Sequence, residues 1–238
     1  MPINKTQLDI PKAEERQIVH RDYLAHCLRW THILKNASVG ETILDIGCGD
    51  AQLAMTFYTN KFKPNLYVGI DIRDSIINKN KEKKFNFECR FLCLNILEHF
   101  DMIPDEKYSI LACLEVIEHV GRIEGINILK NLATRIQPGA VAYVSTPCYN
   151  GKDKANNHIY EFTYQELRTI LEEFFIIESV NGTFISQKDF YQAASEEHIR
   201  TFNEMRRYYD SNLCAIFFAP LYPEISRNCI WTLRKKNV

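Results

Sequence analysis

The stretch Glu41-Thr-Ile-Leu-Asp-Ile-Gly-Cys-Gly-Asp50 decides how this chain reads. Residues 42–47 form a short, largely apolar run, the pattern of a strand covered on both faces. It leads into Gly47 and Gly49, where missing side chains let the backbone turn tightly and approach a ligand. From Asp50 onward, Leu53, Ala54 and Phe57 predict a helix, and its first N–H groups have no intrahelical partners. In open α/β sheets such a strand–turn–helix unit places a binding crevice at the carboxyl end of the strand.

Working outward, strand and helix patterns alternate. Residues 66–72, 87–96, 108–115 and 140–145 read as the second to fifth strands, the last entered through the Pro138-Gly139 turn. Helices are expected near 74–81 and over 121–136, where Ile126, Leu129, Ala133 and Ile136 share a face. Thr163 and Glu166 form a capping-box pattern at the start of another helix. Residues 175–180 and 229–233 read as sixth and seventh strands. Upstream, residues 14–35 carry Ile18, Leu24, Leu28 and Trp30 in a loosely amphipathic helical pattern. The expectation is an α/β fold: one domain with a seven-stranded, mostly parallel sheet and helices on both faces. Its parts are an N-terminal helical cap over 1–37, a cofactor-binding core over 38–180, a helical insertion over 181–228 and a last strand and tail over 229–238. The insertion, with a helix expected over 195–209, reads as a lid or substrate wall.

Composition narrows the function classes. The 238 residues are 46% hydrophobic and 25% charged, ordinary for a globular protein. Runs such as 110–114 are strand-length, far short of the roughly 20 apolar residues of a membrane span. Residues 1–9 lack the apolar region of a secretory signal. A formal charge of −1 gives no overall pull toward polyanions. The clusters Lys79, Lys81, Lys83, Lys84 and Arg234, Lys235, Lys236 read as solvated. Eight cysteines without a C-x-x-C pair suggest reduced thiols and a cytoplasmic setting. Cys89 and Cys93, on one face of a strand, read as buried small hydrophobes, and no third cysteine completes a radical-cluster motif.

Asp71 closes the second strand, 22 residues beyond Gly49. A carboxylate there can accept both hydroxyl hydrogens of a ribose. A nicotinamide dinucleotide would want a third glycine where Gln52 stands. Asp45, inside the strand end, would repel a pyrophosphate but suit a cation. S-adenosylmethionine carries two positive groups, a sulfonium and an α-ammonium. That contrast favours it.

Leu44-Asp-Ile-Gly-Cys-Gly49 resembles motif I of class I S-adenosylmethionine-dependent methyltransferases, and Gly69-Ile-Asp71 resembles their second motif. Phe91-Leu-Cys-Leu-Asn-Ile96 is similar to the segment whose Asp or Asn recognises adenine. Ala112-Cys-Leu-Glu-Val-Ile-Glu-His119 is similar to the fourth-strand motif, and Gln137-Pro-Gly139 with Ser145-Thr-Pro147 to the fifth. The resemblance covers roughly residues 38–180 and implies a Rossmann-like fold. It gives Asp45, Gly47, Cys48, Gly49, Asp71, Ile72, Asn95, Ile96 and Leu114 to the cofactor site. Ala51 departs from it, since many members carry a glycine there.

Methyl transfer from a sulfonium is an in-line displacement, so an enzyme must align two reactants and sometimes remove a proton. Glu115, Glu118 and His119 stand at i, i+3 and i+4, and a helix beginning there would turn all three one way. Glu-x-x-Glu-His is similar to the metal-binding motif of small-RNA 3′-terminal 2′-O-methyltransferases and of ubiquinone-biosynthesis O-methyltransferases. With His158 as a fourth ligand, the resemblance implies a divalent cation such as Mg2+. Two other readings stay open for His119: general base, with Glu115 as catalytic partner, or a residue that merely orders its loop.

No Asp/Asn-Pro-Pro-aromatic loop follows the fourth strand, against amino methylation of DNA, and Cys148 follows the fifth strand, the wrong place for a C5-cytosine nucleophile. Tyr191, His198, Arg206, Arg207, Tyr208 and Tyr209 either contact the acceptor or form a solvated helix face. Three functions follow in order: O-methylation of a small molecule, metal-assisted 2′-O-methylation of RNA, and cofactor binding without turnover. Near-neutral charge favours the first. The oligomeric state is not legible in the sequence.

Overall fold

The computed structural model describes residues 21–151 and 154–236; residues 14–20 of the expected leading helix lie outside them. Helix α1 (Arg21–Asn36) precedes β1 (Thr42–Ile46), α2 (Gln52–Thr59), β2 (Leu66–Asp71), α3 (Asp74–Glu82) and β3 (Glu88–Cys93). Then come β4 (Ile110–Leu114), α4 (Arg122–Arg135), β5 (Val141–Pro147), α5 (Tyr164–Phe174) and β6 (Phe175–Phe184). Helices α6 (Gln187–Ala193), α7 (Glu196–Met205) and α8 (Ser211–Phe218) lead to β7 (Asn228–Lys235). No helix among the described residues is long and apolar enough to cross a membrane.

The seven strands run in the order β3-β2-β1-β4-β5-β7-β6. All neighbours pair parallel except β7, which is antiparallel to both β5 and β6. The chain steps one way from β1 to β2 and the other way to β4, so the switch point lies between β1 and β4. Asp45 pairs with Gly69 and Ile46 with Cys113. That register ends β1, β2 and β4 at one rim and delivers Gly47, Asp71 and Leu114 side by side.

Burial explains the central strands' continuous apolar runs. One face packs Leu44, Val68, Leu111 and Trp231 under Ile128, Leu129 and Leu132 of α4 and Leu167 and Leu171 of α5. The other packs Ile43, Tyr67, Ala112 and Tyr143 under Phe57 of α2, Ile77 of α3 and Ile33 of α1. Each such aliphatic side chain contributes about 1.5–3 kcal/mol.

Four local expectations need correcting. Cys93 is exposed and Cys89 half-buried, because β3 is an edge strand in which only Phe91 is fully covered. The insertion holds three helices rather than one; α6 and α8 are short and are opened by the side chains of Ser186 and Asp210. Their apolar faces meet in a separate cluster around Phe190, Phe202 and Phe218. The capping box at α5 is half made: Thr163 accepts from Glu166 N, but the Glu166 carboxylate turns to Arg122 and Tyr160 instead. No α-helix starts at Glu115. A single 3-10 turn spans Ile117–His119, with consequences for the site.

Candidate active site

One side of the candidate site is built at the end of β1. Gly47 has φ 71, and a methyl group there would collide with Val116 Cγ2, so this position needs glycine. Cys48, buried, ties the turn to β2 through its N–H and Ile70 O at 2.8 Å. Gly49 O accepts from the Asn80 side chain at 2.7 Å, and the Lys83 ammonium donates to Asp50 O. Helix α3 thereby braces the glycine turn from behind. Lys83 is thus a structural donor rather than the solvated residue its cluster suggested; nothing in the run Asn78-Lys-Asn-Lys81 marks Asn80.

Asp45 is buried and accepts a hydrogen bond from the Tyr67 hydroxyl. Burial pushes its carboxyl up to about 7, with the nearby Asp71 adding to the rise and Tyr67 opposing it.

At the end of β2, Asp71 is 6% exposed. Its Oδ1 accepts from Arg73 N at 3.0 Å and Arg73 Nε at 2.9 Å. Its Oδ2 accepts from Gly49 N at 3.0 Å and Arg73 Nη2 at 2.9 Å. Burial opposes ionisation, but the Arg73 bonds overcome it and hold the carboxyl below its usual range. Ile72, just beyond, is exposed. Asn95 and Ile96 are half-buried after β3, and Asn95 Oδ1 accepts from Leu97 N at 3.1 Å. Leu114, half-buried, ends β4.

Glu115 follows in left-handed backbone, φ 56. Its Oε1 accepts from Ser145 Oγ at 2.9 Å and its Oε2 from Asn228 Nδ2 at 3.0 Å. Arg29, reaching in from α1 and 1% exposed, places Nη1 3.6 Å from Oε1. The same guanidinium donates to Thr183 Oγ1 and to His26 Nδ1. Burial, then Arg29, keeps the His26 pKa well below its usual value, so its ring is neutral and Nδ1 can accept.

The expected shared face of Glu115, Glu118 and His119 is therefore not formed. The structure instead brings Glu118, His119 and His158 together, with one ligand atom from each within 4.8 Å of the others. Ile159 N donates to Glu118 O at 2.8 Å, which staples the loop carrying His158 to the turn carrying Glu118 and His119. His119 Nδ1 lies 3.0 Å from Asn157 O. A carbonyl only accepts, so Nδ1 holds the hydrogen and a neutral ring presents the Nε2 lone pair. His158 Nδ1 lies 2.6 Å from Glu161 Oε1, and Glu161 also receives Arg227 Nη2 on both oxygens. Burial works against ionisation of Glu161, yet Arg227 and His158 leave its carboxyl below the usual range. His158 thus donates to a carboxylate. Glu118, 1% exposed, accepts from Thr146 Oγ1 at 3.1 Å; burial, then Glu115, raises its pKa well above the ordinary value.

Of the candidate acceptor contacts in the insertion, four are engaged within the insertion itself and two lie exposed. Arg206 Nη1 donates to Tyr191 OH at 3.0 Å, Arg207 pairs with Glu204 at 3.0 Å, and His198 Nδ1 lies 2.6 Å from Tyr222 OH. Tyr208 and Tyr209 are exposed. Arg29, Arg73, Asn80, Glu161, Arg227 and Asn228 carry much of the site's polar scaffolding, and sequence reasoning passed over all six.

The sheet order and the crevice at its switch point define the fold of S-adenosylmethionine-dependent methyltransferases. The methyltransferase domain family matches residues 18–184, and the chain belongs to that family. It is 33% identical over 106 residues to a ubiquinone biosynthesis O-methyltransferase of Rickettsia akari (strain Hartford), covering 44% of this chain and 39% of the relative. To the protein of the same name from Aeromonas salmonicida (strain A449) it is 27% identical over 127 residues, 52% of this chain and 51% of that one. The matches thus span about two fifths to one half of these relatives. A S-adenosylmethionine-dependent methyltransferase from Archaeoglobus fulgidus superposes with TM-score 0.59 at 18% identity, over 96% of this chain and all of that one. The small RNA methyltransferase HEN1 superposes with TM-score 0.61 at 17% identity, over 89% of this chain and 26% of that one.

Proposed function

We propose that the chain binds S-adenosylmethionine at the β1–β2 rim and methylates an oxygen of a small-molecule acceptor. The carrying observation is the pair of buried carboxylates, Asp45 and Asp71, on either side of a glycine turn that a side chain at Gly47 would close. The residues fit the cofactor's chemistry. Asp71 suits a ribose diol, the exposed Ile72 an adenine face, and Asp45 lies where a positive methionine end gains from a carboxylate. Gly47, Cys48 and Gly49 shape the turn, Asn95 and Ile96 flank the adenine side, and Leu114 lies toward the transferred group. The cofactor supplies an electrophilic methyl group; the chain's work is alignment and proton removal.

For the second task we assign His119, whose Nε2 lone pair is left available by the Nδ1 bond to Asn157 O and can take a hydroxyl proton. In the alternative arrangement Glu118, His119 and His158 form a donor set fit for a divalent cation, which would take the His119 Nε2 lone pair in place of the proton, with His158 oriented by Glu161 as metal-bound imidazoles commonly are. A cation bound there would lower the pKa of an attacking hydroxyl. Two imidazole nitrogens and one carboxylate suit Mn2+, Fe2+ or Zn2+ better than Mg2+, which prefers oxygen ligands. Glu115 is held by Ser145 and Asn228 and lies outside that donor set, so we place it as an anchor of the loop. The segment 181–228 acts as the acceptor wall in this reading, and the cytoplasm, with eight free cysteines, as the setting.

The relatives' ubiquinone-biosynthesis names support a small acceptor. The cation donor set and the fold shared with a small RNA methyltransferase favour, as second reading, 2′-O-methylation of RNA; salt-dependent RNA binding with chelator-sensitive turnover would select it. Asp71→Ala tests the first reading. Losing charge-assisted bonds of roughly 1.5–3 kcal/mol should weaken S-adenosylhomocysteine binding about tenfold or more in calorimetry. An unchanged Kd removes Asp71 from the ribose site, and no binding to the intact chain removes the whole reading.

A further inference from the structure

Asp71 has no acceptor position left over for a ribose diol. An ionised carboxylate offers about four lone-pair positions. Here all four are filled: Arg73 N and Nε on Oδ1, Gly49 N and Arg73 Nη2 on Oδ2. A ribose diol that donates both hydroxyl hydrogens to this carboxylate needs two of them. The Gly49 and Arg73 backbone donors belong to the turn and to the entry into α3, where Arg73 O already accepts from Ile76 and Ile77. They cannot leave without unmaking the turn. The Arg73 side chain can: it is 57% exposed, while the Asp71 side chain beneath it is only 5% exposed. Its Nη2 lies 3.7 Å from the point a Cβ on Gly49 would occupy, in the space the glycine turn keeps clear.

Resting on the reading of Asp71 as the ribose anchor, we propose that Arg73 is an internal occupant of the ribose subsite, so that a nucleoside cofactor enters only by exchanging its diol for the Arg73 guanidinium. The guanidinium is a fair mimic of a diol here, since it presents two parallel N–H donors to the two oxygens. It keeps the carboxylate charged and correctly turned when no ligand is bound. The cost falls on affinity, because every binding event first breaks a bidentate ion pair. Asp50, whose charge already acts on the side chain, offers it a partner on release. Arg73 is thus a positioning residue that sets how tightly the cofactor is held without touching the reacting atoms.

Calorimetry on the full chain separates this from a purely structural role. Arg73→Ala should bind S-adenosylhomocysteine roughly threefold to tenfold more tightly, the worth of a partly exposed bidentate pair. Arg73→Lys, which keeps the charge but loses the two-pronged grip, should fall between. A 2′,3′-dideoxy form of the same nucleoside has no diol to exchange, so wild type and Arg73→Ala should bind it equally. Equal or weaker binding of S-adenosylhomocysteine by Arg73→Ala overturns the proposal, as does an equal gain with the dideoxy compound. If the wild type binds neither compound, the cofactor reading itself fails; if it binds both and the variants do not differ, only the role of Arg73 fails.

Discussion

Ala51 adopts left-handed backbone, φ 57, with its methyl group fully buried. Left-handed backbone costs a non-glycine residue roughly 1–2 kcal/mol. Ala51→Gly recovers that but gives back about 0.8 kcal/mol of methyl burial and roughly 0.4–1 kcal/mol of unfolded-chain entropy. The terms nearly cancel, so its thermal midpoint should stay within about 3 °C of wild type in calorimetry. Ala51→Val has no such offset and should lose roughly 5 °C or more. Asp45 makes a pH prediction. Its carboxyl titrates near 7 in the fold against 3.8 for an unperturbed group, so the native state binds the extra proton between those values. Stability from this residue is therefore present below pH about 4 and lost as pH rises to about 7. Binding of a cationic methionine end runs the other way: the Kd for S-adenosylmethionine should fall as pH rises from 6 to 8, and Asp45→Asn should flatten that slope. A flat wild-type profile would count against Asp45 facing the ligand's charge. The places of Gly47, Gly49 and Asp71 were legible because strand ends and turn chemistry set them within a few residues. Arg73 was not: nothing in Asp71-Ile-Arg73 says that the third side chain folds back on the first.

Among the elements, β1, β2, β4 and β5 follow their apolar runs closely, since burial on both faces leaves little choice, and α4 follows the period of its one covered face. The turn after β4 does not. Its course depends on Glu115 being drawn to Asn228, 113 residues away in sequence, and to Arg29 of α1. Local spacing predicted a helical face; long-range bonds imposed a left-handed residue and a 3-10 turn. Arg29→Met keeps much of the stem's packing while removing donors to Thr183 and His26 and the charge beside Glu115. It should cost about 1–3 kcal/mol in denaturant unfolding, the price of stranding buried polar groups. Thr163→Ala, which removes the side-chain acceptor opening α5, should cost about 1 kcal/mol in the same measurement. Equal stability in either variant would show that the contact is replaced by water.

Over the whole molecule, the proposed reading gives the donor and acceptor sides to different parts of the chain. Replacing residues 187–218 by a short Gly-Ser linker should leave the S-adenosylhomocysteine Kd within about threefold, under ~1 kcal/mol, while abolishing methyl transfer. Loss of cofactor binding as well would show that the helices support the rim rather than the acceptor. The reversed strand β7 makes this division possible. Phe184 at the end of β6 pairs with Asn228 at the start of β7, and Asn228 also pairs with Pro147 at the end of β5. The intervening helices thus depart from and return to one doorstep, beside Glu115 and away from Asp71. On the proposed reading, a lineage could lengthen, shorten or recast that excursion, and so change which molecule receives the methyl group, without disturbing the machinery that holds its donor.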